Sequence, residues 1–116
     1  MAFNAARPLT PDAALDKAAL AHSLDMAEHG QMTHRGSDGS SVAERTKRAG
    51  YKWRKVGENV AAGTPGVDDV VRGWIGSPGH CANLMNPDFT QMGVAYAVNA
   101  VSEDGIYWTQ VFATPR

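Results

Sequence analysis

Apolar positions recur at helical spacing in two long stretches and at strand spacing near the carboxyl end. In PLTPDAALDKAALAHSLDMAEHG, Leu15, Ala18, His22 and Met26 fall on one face at intervals of three and four. The pattern predicts a helix capped by Thr10, with Pro11 at the first helical position and Gly30 as a left-handed stop. The loop-like QMTHRGSDGS follows, with Gly36, Asp38 and Gly39 as turn formers. Ser41 and Glu44 stand at capping-box spacing, so SVAERTKRAGY predicts a short helix that stops at Gly50. The cleanest period lies in TPGVDDVVRGWIG. There Val67, Val70, Val71, Trp74 and Ile75 match a core-facing helix, ended by Gly76 and Pro78.

YKWRKVGENVAAG mixes aromatic and β-branched residues without helical period and reads as extended, with a strand or loop near Val56–Val60. TQMGVAYAVN and GIYWTQVFA carry strand residues on either side of the turn signal VSEDG, which predicts an antiparallel hairpin. Helices followed by a terminal hairpin predict an α+β fold or a helix–sheet–helix sandwich.

Composition narrows the function classes. The 116 residues suffice for one domain, and 43% apolar with 20% charged content reads as globular. Eleven basic and 12 acidic residues leave a net charge of −1, which gives no reason to expect nucleic acid as a partner. The single cysteine, Cys81, excludes an internal disulfide. No apolar run approaches the roughly 20 residues of a membrane helix, and MAFNAARP has no signal-peptide core.

Four histidines are candidates for chemistry. His22, on the apolar helix face, reads as a packed or partly exposed core-edge residue, and His29, in the last helical turn, as a surface cation complementing the dipole. His34 and His80 each follow a predicted helix in a loop introduced by glycine, where function concentrates. Glu58, in VGENVAAG, is either a buried carboxylate needing partners or an exposed strand residue. Cys81 adjoins His80, but neighbours point apart, so it reads as a partly buried filler. Ser77 lies in GSPG, not in a nucleophile elbow, and reads as a cap for the following HCANLMN turn.

Taken together, PLTPDAAL, HSLDMAEHGQMTHRGSDGSSVAERTKRAGY, VGENVAAG, VVRGWIGSPGHCANLMNPDFTQMGVAYAV and YWTQVFA resemble the bacterial branch of the CAP superfamily, the cysteine-rich secretory protein, antigen 5 and pathogenesis-related-1 group. The resemblance implies a single CAP domain over residues 1–116, built as a three-layer α-β-α sandwich with a central antiparallel sheet. It implies a cavity formed by His34, Glu58, Ser77 and His80, with His34 and His80 as ligands for zinc or another divalent cation. Ser77 stands where many members carry a second acidic residue, and Cys81 where bacterial relatives often carry arginine. FNAAR resembles the tail of the family's first helix, which implies that further helical turns belong upstream. Asn83 is expected to bond the backbone of the turn that aims His80.

The leading functional expectation is a secreted or periplasmic binding module, monomeric, whose His-lined cavity takes a divalent metal. Its partner would be a small molecule, a lipid or a cell-wall component. A metal-assisted hydrolase of peptides or cell-wall material, with Glu58 as base, is the first alternative, and a lipid or sterol carrier the second.

Overall fold

The computed structural model describes residues 9–116; FNAAR and the question of an upstream helix lie outside them. Strand β1 (Thr10–Pro11) leads into helix α1 (Ala13–His29), followed by α2 (Val42–Arg48), β2 (Trp53–Ala62), α3 (Val67–Ile75), α4 (Pro78–Leu84), β3 (Gln91–Val98) and β4 (Ile106–Pro115). The sheet order is β1-β3-β4-β2. β3 and β4 form the predicted antiparallel hairpin, β2 adds antiparallel to β4, and β1 adds a short parallel pairing to β3.

Strand alternation builds the layers. Val60 on β2, Ala97 on β3 and Tyr107 on β4 pack under Met26 and Ala27 of α1, and Val111 and Ala113 pack under Leu15 and Ala19. The opposite parity presents Ala61 and Trp108 to Val70 and Trp74 of α3. Helices thus cover both faces, as the α-β-α reading requires. β4, with neighbours on both sides, is buried from Tyr107 to Thr114.

The helical face of Leu15, Ala18, His22 and Met26 is buried as its period predicted, and Gly30 ends α1 at φ 62°. The start of α1 differs. Asp12, not Thr10, is the N-cap, its carboxylate accepting from Leu15 N–H, while Thr10 and Pro11 pair with β3. A charged acceptor at the N-cap satisfies an orphan amide and suits the dipole. The Ser41–Glu44 capping box forms as read. α3 departs from its periodicity: Val70 and Trp74 are buried, but Val67 and Ile75 are exposed, because only the middle of this short helix rests on Trp108. The segment near Val56–Val60 is one continuous ten-residue strand.

β2 is an edge strand, and edges left open invite foreign pairing. Here side chains of α3 and α4 close it. Trp74 Nε1–H donates to the Val60 carbonyl at 3.1 Å, and Asn83 Nδ2 donates to the Glu58 carbonyl at 3.1 Å. At the other end of the sheet, α1 rests directly on β3. A Cβ on Gly93 would stand 2.2 Å from the Leu15 carbonyl carbon and the Asp16 nitrogen. Backbone on both sides cannot yield, so Gly93→Ala should cost about 3 kcal/mol or more. Urea unfolding of the variant against the parent chain measures it.

Candidate functional site at the sheet edge

The site is built on three consecutive residues of β2. Gly57 lies under the Phe89 ring, where a Cβ would approach Phe89 Cζ to 2.9 Å. The next two side chains, Glu58 and Asn59, project to opposite faces of the sheet, as strand geometry demands. Glu58 points toward α1 and α2, and Asn59 toward α4.

Glu58 is buried, and each of its oxygens is answered. Oε2 accepts from Arg45 Nη2 at 2.7 Å, and Oε1 accepts from His34 Nδ1 at 3.0 Å. Arg45 is itself buried and donates further to the Ser40 and His34 carbonyls at 2.8 and 3.0 Å. The guanidinium therefore clamps both ends of the loop that carries His34. His22, fully buried, holds the same loop from α1: its Nε2–H donates to the Thr33 carbonyl at 2.6 Å and stands 4.0 Å from Glu58 Oε1. That bond fixes the proton on Nε2 and leaves Nδ1 buried with no protein partner among the described residues.

On the other face, Asn59 Nδ2 donates to the His80 carbonyl at 3.2 Å, and its Oδ1 accepts from Asn83 Nδ2 at 2.9 Å. His80 does not sit in a loop, as its Gly-Pro context suggested. Pro78 opens α4, and His80 lies in its first turn. Ser77 occupies the N-cap position without a side-chain capping bond. Asn83 bonds β2, not the turn preceding His80. Cys81 is half-buried, in keeping with a filler.

The predicted residues thus fall into two groups joined through β2. His34 and Glu58 meet directly. Ser77 and His80 line a cleft of about 270 Å³, together with Met32, Val60 and Trp74. Among the described residues, no group of three or more His, Cys, Asp or Glu side chains is arranged to hold a metal ion. The donor that suits a cation is His34: Glu58 engages its Nδ1, and its side chain is 63% exposed, leaving Nε2 toward solvent. The cleft that His80 lines does not include His34, so a cation on His34 would draw its other ligands from water or the bound molecule.

Sequence reasoning missed Arg45 and the role of His22. The apolar face of α1 placed His22 inside but could not say what it met. Arg45 looked like one of several cations on a short helix.

The sequence model of the cysteine-rich secretory protein family (CAP) matches residues 4–112. The chain belongs to the CAP family. It is 37% identical over 106 residues to the Bacillus subtilis protein YkwD, covering 91% of this chain and 39% of that protein. To the Bacillus subtilis membrane protein YlbC it is 32% identical, covering 81% and 25%. The chain therefore spans well under half the length of these curated CAP relatives. Among solved structures, an extracellular protein containing an SCP domain from Bacillus anthracis superposes with a TM-score of 0.81 at 29% identity, over 93% of this chain and 34% of that one. An outer surface protein of Borrelia burgdorferi shares the fold, with a TM-score of 0.84 at 22% identity, over 96% and 80%. Both superpositions agree with the CAP sandwich of helices on a central sheet.

Two histidines of this CAP site titrate in opposite directions. The hydrogen bond to Glu58 raises the pKa of His34 above its ordinary 6.5. Burial lowers that of His22 below 6.5, with the Glu58 charge opposing and Arg45 assisting. The His34–Glu58 pair stabilises the fold fully below the ordinary value, and that contribution is lost as pH rises through the raised one. Neutral His22 contributes above the ordinary value, and its contribution is lost as pH falls through the lowered one. Imidazole NMR titration should show the two midpoints on either side of 6.5. Arg45→Met should strand the buried carboxylate at a cost of about 3–5 kcal/mol in chemical denaturation, and adding Glu58→Met should recover much of it.

Proposed function

We propose that this CAP chain is a secreted or periplasmic binding module, whose ligand is held at the edge of β2 between His34 and His80. One observation carries the reading: adjacent residues of one strand, Glu58 and Asn59, hold the two histidine-bearing segments by direct hydrogen bonds. Holding a loop this firmly is the work of a site that must keep its shape before the ligand arrives. The location is supported by the likeness to the extracellular Bacillus anthracis protein. The ligand is a small molecule or a cell-wall fragment with a group that imidazole recognises. A divalent cation such as zinc would bridge His34 Nε2 to that group, with His80 as second ligand.

Binding is favoured over hydrolysis by the state of Glu58. Both of its oxygens already accept hydrogen bonds from cationic or cation-forming groups, so it is poorly placed to take a proton from water. Ser77 and Cys81 make no side-chain hydrogen bond to a base among the described residues, which leaves no activated nucleophile there. A cleft of about 270 Å³ is also small for a sterol.

Zinc titration by calorimetry on the parent chain, His34→Ala and His80→Ala tests the cation bridge. Saturable one-site binding that both substitutions abolish is the expected result. Absence of binding, or binding indifferent to both changes, would remove the cation from the account. Hydrolysis of peptides or cell-wall fragments lost in His80→Ala would replace the binding module with an enzyme.

A further inference from the structure

The geometry points to a second binding site, for a phosphodiester-linked polyol chain, in a basic cleft at the start of β2. Sorting the described cations by their partners isolates it. Arg45, Arg48, Lys55 and Arg72 lie within 4.0 Å of Glu58, Asp38, Asp88 and Asp69. Lys17, Arg35, Lys47, Lys52, Arg54 and Arg116 have no such acidic partner among the described residues. Three of these six, Lys47, Lys52 and Arg116, line one cleft of about 510 Å³, with Gly50, Tyr51 and Trp53 as the remaining walls and no acidic side chain. Lys47 also sits in the last turn of α2, where a cation complements the helix dipole. That accounts for one of the three and not for their convergence.

The cleft is partly pre-organised. Arg116 is fixed by two bonds, its N–H to the Lys52 carbonyl and its Nε–H to the Trp53 carbonyl, both at 3.1 Å. Its two Nη nitrogens have no protein acceptor among the described residues. Trp53 is fixed by Nε1–H donation to the Ala43 carbonyl at 3.1 Å, and Tyr51 by its hydroxyl bond to Gln91 at 2.5 Å. A held guanidinium fork beside two exposed ammonium groups matches the oxygens of a phosphate. The volume far exceeds a single anion, and the half-buried Trp53 offers an apolar wall to a carbon skeleton. Trp53 precedes Glu58 by five strand residues, about 17 Å of chain, so this cleft and the histidine site are separate.

The test is an NMR titration of the backbone amides at low ionic strength with three probes: inorganic phosphate, a short poly(glycerol phosphate), and an oligothymidylate of equal charge. Saturable shifts confined to residues 47, 50–53 and 116 are expected, with the polyol probe binding roughly tenfold tighter than inorganic phosphate. Lys47→Gln/Lys52→Gln should weaken it roughly tenfold, while Lys17→Gln/Arg72→Gln, of equal charge change, leaves it intact. Arg116→Lys should weaken it despite the conserved charge, since the fork is lost. Equal losses in the two double variants, or shifts scattered over all cations, would overturn the site. Inorganic phosphate binding as tightly as the polyol would put a free anion in its place, and equal binding of oligothymidylate would reduce it to unselective charge attraction; either result overturns the proposal.

Discussion

The buried carboxylate of Glu58 is the constraint around which the rest is arranged. An ionised group inside a protein has to be met by opposite charge and by hydrogen bonds, or it will not stay charged. Here Arg45 from α2 and His34 from the intervening loop meet it, and neither could do so without the other elements in place. The capping box of α2 sets the position of Arg45, the stop at Gly30 releases the loop from α1, and the bond from His22 to Thr33 returns it toward β2. The carboxylate is therefore less a source of net stability than a device that specifies one arrangement of loop, helix and strand.

Asn59 repeats the logic on the opposite face with uncharged groups. It is buried, and its amide bonds the His80 carbonyl while its oxygen accepts from Asn83. Asn83 in turn covers the Glu58 carbonyl on the sheet edge, so closing the edge and placing α4 are one event. The Gly-Glu-Asn run thus combines three demands in three residues: room for Phe89, a charged anchor for one histidine segment, and a neutral anchor for the other. A strand serves this purpose because its alternation sends adjacent side chains to opposite layers.

Much of this was legible in the sequence, for physical reasons that also explain what was not. The α1 face, the α2 capping box and the β3–β4 hairpin followed from period and turn chemistry, which are local. The family resemblance supplied the sandwich and brought His34 and Glu58 together, which spacing alone could not. The misreadings lie where tertiary packing decides. Pro78 serves as the start of α4 as well as the end of the preceding helix, so His80 is helical. Val67 and Ile75 have the right period but overhang the ends of the contact with Trp108. Arg45 could not be told from its neighbours, because only the fold reveals which cation on a basic helix faces a buried acid.

The central claim is that Glu58 and Asn59 each govern one histidine segment. Native-state amide hydrogen exchange on Glu58→Gln and Asn59→Ala tests it most directly. Glu58→Gln should speed exchange in the loop of residues 33–40 and leave α4 protected, whereas Asn59→Ala should loosen α4 and leave that loop unchanged. Loss of protection in both segments for either variant, or in neither, would contradict the division of labour along β2.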